Sequence, residues 1–250
     1  MSMAAEGPVP KMSTKLDIPH ALAALKKLLA DKDDTRQVFE IMRALNGSST
    51  AKGYHKLLAQ PNGGRIAYER EEFAHRLMDN AWLDSFAAGT VGAAYRDFIR
   101  EAGFSADGLA DVSREGIREV DEPHPYAWFG RRTRDVHDIW HVLTGYSRDA
   151  LGEACLVAFS FAQTGGLGWA LIALGAAFKA SREAGPYPFA KAIWQGYKRG
   201  KAAKWLLGED YAALMDEPMA AARKRLGLTE PTVYQSIPYE IRFGAIPKAA

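Results

Sequence analysis

Two histidines and a carboxylate fall within five residues, His137-Asp138-Ile139-Trp140-His141, and a second carboxylate, Glu153, follows. Imidazole nitrogens and carboxylate oxygens are the donors that divalent metals take in sites with an open position. A helix advances about 100° per residue, so His137 at 0°, His141 at about 40° and Asp138 at about 100° share one face. Thr144-Gly145-Tyr146-Ser147 reads as a stop and a restart. Gly145 suits the position after a helix end, and Ser147 suits the N-cap of the next helix. His141 lies about 6 Å of helical rise before the stop and Glu153 about 9 Å after the restart. A helical hairpin sets these levels face to face, and two imidazoles with one or two carboxylates converge.

Spacing alone also fits ordinary surface histidines and a first-turn acid favoured by the helix dipole. Two features favour the metal. His124, His137 and His141 are three of the chain's six histidines and lie close together. Glu153 is the last charge before a long uncharged run, and a carboxylate at such a boundary needs a partner. The zinc-protease pattern His-Glu-x-x-His uses its Glu as a base, whereas here the shorter Asp138 stands in that place.

The flanking segments must position these groups. Trp128 to Asp135 carries Arg131, Arg132 and Arg134. It reads either as a solvated basic turn or as an anion-binding element beside the metal, because guanidinium forks match carboxylate and phosphate. Ala154 to Phe178 holds no charged residue and is long enough to span a bilayer. Ser160, Gln163, Thr164, Gly165 and Gly166 interrupt it, so the expectation is a fully buried helical hairpin with room for a long apolar ligand. Phe189 to Gly208 interleaves Trp194, Tyr197 and Trp205 with lysines, which suits a helix with Trp inside and Lys outside, or a membrane surface.

Helical periodicity runs through almost the whole chain, and no alternating β-branched run appears. Asp17-Ile18-Pro19 starts a helix with Leu22, Leu25, Leu28 and Leu29 on one face. Asp33-Asp34-Thr35 starts another, which Asn46-Gly47 stops. Ser48-Ser49 starts a third, ended by Gln60-Pro61-Asn62-Gly63-Gly64. Gly89-Thr90-Val91-Gly92 precedes Tyr95 and Phe98, and Phe104 to Pro125 reads as an inserted loop or cap. Of 250 residues, 48% are hydrophobic and 25% charged, with net charge +2. That builds a sizeable core and gives no case for nucleic acid. The one cysteine, Cys155, is in the apolar run and reads as a buried small residue. The expected organisation is an all-α, single multi-helix domain at 17–228, a flexible tail at 1–16 and an extended tail at 229–250. The N-terminus lacks the apolar core of a signal peptide and the pattern of an import sequence.

Together these residues resemble the ubiquinone (coenzyme Q) biosynthesis proteins of the coenzyme-Q-four type. That family's signature is His-Asp-x-x-His, eleven residues, then Glu, matched at His137, Asp138, His141 and Glu153. Its Arg-x-Arg-Glu is matched by Arg132, Arg134 and Asp135, with Asp for Glu. Leu151-Gly152-Glu153, Gln163-Thr164-Gly165 and the Gly89/Gly92/Tyr95/Phe98 pattern also match. The resemblance implies an all-helical fold, a divalent metal (zinc, iron, manganese or cobalt, with magnesium less natural at His) on those four side chains, and a hydrophobic channel for a polyprenyl tail. It implies oxidative decarboxylation at ring carbon one of a polyprenylated hydroxybenzoate, attachment to a membrane surface, and a role in holding other ubiquinone-biosynthesis enzymes together.

In that reading the metal acts as a Lewis acid, Asp138 binds it or orients a histidine, and Arg132 or Arg134 pairs the substrate carboxylate. A homodimer is expected, on the inner face of a bacterial cytoplasmic membrane. The alternatives are a non-catalytic prenyl-lipid-binding scaffold and a phosphohydrolase that would recruit His75 with Asp210 or Asp216. A di-iron carboxylate enzyme needs two Glu-x-x-His motifs, which the sequence lacks.

Overall fold

The computed structural model describes residues 15–31, 34, 36–101, 124–183 and 185–242. Among them the regular elements are helices, joined by one 3-10 turn at Leu206–Gly208. The all-α expectation holds, with one continuous hydrophobic core. The expected loop at Phe104 to Pro125 lies almost wholly outside the described residues, as does most of the N-terminal tail.

Helix α1 (Ile18–Ala30) opens as expected. Asp17 caps it by accepting from His20 N–H, and Pro19 occupies the first turn. Its buried residues are Ala21, Ala24 and Leu28, while Leu22 is 52% exposed. α2 (Arg36–Leu45) and α3 (Ser49–Leu58) are joined at Asn46-Gly47, where the Asn46 side chain accepts from Ser49 and Thr50. Gly63-Gly64, expected as a turn, instead starts α4 (Gly63–Glu69). The Gly63 N–H donates to Gln60 O at 2.9 Å, which carries the chain straight into a new helical turn.

Short helices α5 (Phe73–Leu77) and α6 (Asn80–Asp84) lead to α7 (Val91–Glu101). α8 (Pro125–Asp135) and α9 (His137–Thr144) are nearly continuous, broken at Val136. α8 is no solvated turn: Trp128 and Phe129 are buried. Then come α10 (Ala150–Thr164), α11 (Leu167–Glu183) and α12 (Phe189–Ala202). The described residues end in α13 (Tyr211–Met215), α14 (Met219–Leu226), α15 (Thr232–Gln235) and α16 (Tyr239–Arg242).

α10 is the centre of the molecule. Cys155, Leu156 and Phe159 have no exposed surface. α12 closes on it where a Cβ at Gly196 would stand 2.4 Å from Cys155 O, so the two backbones meet only because Gly196 has no side chain. The uncharged run does fold back at Gly165, whose φ of 67° ends α10. None of the described helices is long and apolar enough to cross a membrane. The expected fully buried hairpin is only half right, however. α10 is enclosed, while α11 leaves Leu174 70% and Phe178 63% exposed. The small residues of α11 serve close packing: Gly168 lies against Met42 and Gly175 against Leu25.

The C-terminal segment is not an extended tail as far as it is described. Tyr234 and Ile237 are 1% exposed in the core. Burying those two side chains outweighs the turn-forming prolines that made the segment read as extended.

Candidate metal centre

Helix α9 carries the motif and is fixed at both ends. Its inner face buries Ile139, Trp140 and Leu143, and Trp140 Nε1 donates to Tyr211 Oη at 2.7 Å. Gly145, at φ 77°, ends the helix as expected and returns its N–H to His141 O at 2.9 Å. The last carbonyls of a helix have no partner within it. Here Arg223 donates to Leu143 O at 3.0 Å and Val142 O at 3.1 Å, and Arg199 donates to Thr144 O at 2.8 Å. Two cations therefore sit at the negative end of the α9 dipole.

The restart is made by Asp149 rather than Ser147. The buried Asp149 carboxylate accepts from Leu151 N–H at 3.1 Å and Gly152 N–H at 2.9 Å. A carboxylate at a helix N-terminus is a stronger acceptor than a hydroxyl. Its other oxygen accepts from the Tyr234 hydroxyl, and that hydroxyl oxygen accepts from Ser147 N–H at 3.2 Å. A Cβ at Gly152 would stand 2.0 Å from Ser147 O, so this tight turn needs glycine directly before Glu153.

Glu153 thereby reaches both histidines. Its Oε1 lies 3.2 Å from His141 Nε2 and its Oε2 lies 3.6 Å from His137 Nε2. One donor atom from each of the three residues falls within 4.8 Å of the others, and no second such group forms among the described residues. The two imidazole rings stand 5.0 Å apart and nearly perpendicular. Trp169 of α11 stacks on His137 at 5.9 Å and Phe98 of α7 stacks on His141 at 5.4 Å.

The His141 ring is oriented by Tyr146 O, 3.0 Å from Nδ1. A carbonyl only accepts, so Nδ1 carries a proton, and in the neutral ring Nε2 is the nitrogen with the lone pair. Nε2 is buried and makes no hydrogen bond, although Glu153 Oε1 lies 3.2 Å away. A buried, unpartnered ring nitrogen beside a carboxylate and a second imidazole is a donor set that suits a divalent cation. Two donors each about 2.1 Å from a tetrahedral ion are about 3.4 Å apart, and the observed separations of 3.2 and 3.6 Å bracket that spacing. The residues fit a metal.

Electrostatics agree. Burial opposes ionising Glu153, but its contacts with His137 and His141 bring its pKa far below the usual carboxylate range. Burial likewise opposes charging His137, and the Glu153 contact and charge raise its pKa above the ordinary 6.5. Asp138 is outside the converging trio. Its negative charge is felt by His137, Tyr95 and Arg148, which places it around the centre rather than in it.

Arg132 and Arg134 do not contact the trio. Arg132 turns to Glu209 O and the Tyr211 ring, and Arg134 pairs with Asp135. The cation nearest in effect is Arg148, held 3.8 Å over the Phe98 ring, with Nη1 donating to Phe98 O at 2.9 Å and with Asp138 and Glu153 acting on it electrostatically. The sequence signal for it was its place in the turn between His141 and Glu153. His75 belongs to α5, Asp210 caps α13 and is engaged by Arg65, and Asp216 ends α13. None joins the histidines, which removes the phosphohydrolase ligand set. His124 caps α8 instead of facing the centre.

The fold and site define an all-helical protein with a His-His-Glu centre across a hairpin. The sequence matches the family described as Coenzyme Q (ubiquinone) biosynthesis protein Coq4 over residues 20–232, and the chain belongs to that family. A Bos taurus mitochondrial ubiquinone biosynthesis protein COQ4 homolog is 29% identical over 195 residues, 76% of this chain and 71% of that protein. The Yarrowia lipolytica mitochondrial COQ4 protein is 26% identical over 195 residues, covering 74% and 71% respectively. The crystal structure of a protein from Nostoc punctiforme superposes with a TM-score of 0.59 at 21% identity, over 85% of this chain and 99% of that one. It shares the fold. The expectation of a bacterial protein on the inner face of the cytoplasmic membrane is overturned, because the curated relatives are named as mitochondrial. Its basis, the composition of the first residues, carries too little information to decide a compartment.

Proposed function

We propose that this protein serves ubiquinone biosynthesis as a metal-dependent enzyme on a polyprenylated hydroxybenzoate, replacing the ring carboxyl by hydroxyl: carbon dioxide leaves, and dioxygen, the two-electron oxidant, is reduced with uptake of water to hydrogen peroxide. The observation that carries this reading is the His137, His141 and Glu153 trio with its buried, unpartnered His141 Nε2. A divalent metal held there supplies Lewis-acid polarisation of a ring oxygen or the departing carboxylate. Tyr146 O orients the His141 ring, and Trp169 and Phe98 stack on the two imidazoles and hold them in place. Asp138 acts through charge beside His137, orienting the centre from outside it. Arg148, rather than Arg132 or Arg134, attracts the anionic head to the site.

The exposed Leu174 and Phe178 on α11 support an apolar tail or membrane face. Trp194 on α12, also exposed and flanked by Lys191 and Lys198, supports peripheral attachment to anionic lipid. The same apolar face favours a second reading, a prenyl-lipid scaffold that organises partner enzymes around a structural metal. Metal-loaded protein is assayed with a prenylated hydroxybenzoate under air, with His137→Ala as control. Product formation that needs His137 supports the enzyme. Metal and bound prenyl lipid without turnover leaves the scaffold.

A further inference from the structure

Arg132 is 5% exposed and has no carboxylate partner. Its Nη2 donates to Glu209 O at 2.5 Å, while its Nε is buried without any hydrogen bond. The guanidinium lies between the Tyr211 ring, 5.1 Å away, and the Trp128 ring, 5.9 Å away. A buried cation lacking an anion is costly, and burial depresses its pKa despite the more distant Asp210, Glu71 and Asp135.

This side chain lines a cleft of about 450 Å³ between α4, α8 and α13. None of the three metal donors lines it, so it is a separate site. Arg65 and Arg76 stand on its walls, but both are already neutralised, Arg65 by Glu69 and Asp210 and Arg76 by Glu71 at 2.8 Å. Three cations and three carboxylates leave no long-range field in the cleft. What it offers an incoming group is local: one buried guanidinium with donors to spare, between aromatic faces.

We propose that this cleft binds a small oxyanion, a carboxylate or a phosphate group, with Arg132 as its principal donor and Arg76 at its rim. The guanidinium donates to either group, and the aromatic walls take a flat apolar body attached to it. The far wall connects to the metal helix, because Tyr211 Oη accepts from Trp140 Nε1.

The test is titration calorimetry and thermal shift of the full-length, metal-loaded protein with benzoate and, separately, inorganic phosphate. Saturable binding of either anion is expected, and which one binds names the group. Arg132→Gln should weaken it at least tenfold while metal content stays unchanged, and Arg76→Gln should weaken it severalfold. If Arg132→Gln does not fold, Arg76→Gln decides. No saturable binding to the wild type overturns the proposal. So does undiminished affinity in a folded Arg132→Gln protein, or in Arg76→Gln when that variant decides.

Discussion

Glu153 Oε1 lies 3.2 Å from His141 Nε2 although one helix ends at Gly145 and another starts after Asp149 between them. The junction is held by contacts outside the motif. Gly145 and Asp149 end and restart the helices, Arg199 and Arg223 take the α9 carbonyls, and Tyr234 secures Asp149.

Removing a donor should remove the metal. His141→Ala or Glu153→Gln is expected to weaken divalent-metal affinity on the order of a hundredfold or more, since even residues behind the ligands are worth 10–100-fold. Metal analysis after dialysis, with circular dichroism to confirm helix content, checks this. Retention of one equivalent of metal in both variants would refute the site.

Metal affinity and the stability of the metal-free protein should respond to pH in opposite directions. The folded pKa of His137 is raised above 6.5. Its pairing with Glu153 therefore stabilises the metal-free fold fully below about pH 6.5, and this is lost as pH rises through the folded value. Glu153, with its pKa lowered from 4.5, contributes above that pH and loses its contribution only in strong acid. Metal needs neutral imidazole, so affinity climbs over the range where the metal-free protein loses stability. Melting temperature against pH, with and without zinc, measures both; His137→Gln should flatten the metal-free curve above pH 6.

Arg223 should act as a positioning residue. Arg223→Met leaves Val142 O and Leu143 O without their charged donor, a loss of about 1.5–3 kcal/mol. Metal affinity should fall 10–100-fold because α9 loosens. Denaturant unfolding and metal titration separate the two effects. An unchanged affinity in the folded variant would show that Arg223 only stabilises.

Tyr234→Phe removes the hydroxyl shared by Asp149 and Ser147 N–H. With the Asp149 cap buried, the expected loss is about 1–3 kcal/mol, seen in urea unfolding. It would also show that the C-terminal segment is integral to the domain.

Gly196→Ala forces a methyl group to 2.4 Å from Cys155 O. The α10–α12 pair must separate, costing about 1–3 kcal/mol or more. A melting temperature equal to wild type would mean that the two helices are not as close as described.

Much of the fold was legible because it rests on local rules. The 3.6-residue periodicity gave helices, Asp17 and Gly145 gave their ends, and the spacing of His137, His141 and Glu153 gave a hairpin centre. The errors were of a different kind. Ser147 and Asp149 are both good caps, and only the tight passage at Gly152 with the Tyr234 contact selects Asp149. Leu22 follows the apolar period of α1, but the neighbouring helices α2 and α11 cover Ala21 and Ala24 instead. Arg132 and Arg134 are near the motif in sequence, yet the break at Val136 and the Tyr211 ring turn Arg132 to a cleft of its own.

By itself, then, the sequence determined an all-helical chain, its family resemblance and three donors at matching levels of a hairpin, because helical rise and rotation are properties of the backbone alone. Only the tertiary structure decided that Asp138 stays outside the trio, that Arg132 turns to Glu209 O and the Tyr211 ring, and that Gly168 and Gly175 of α11 meet Met42 and Leu25. Those outcomes depend on which distant side chains arrive at each face, and close packing between helices is not encoded at any one position.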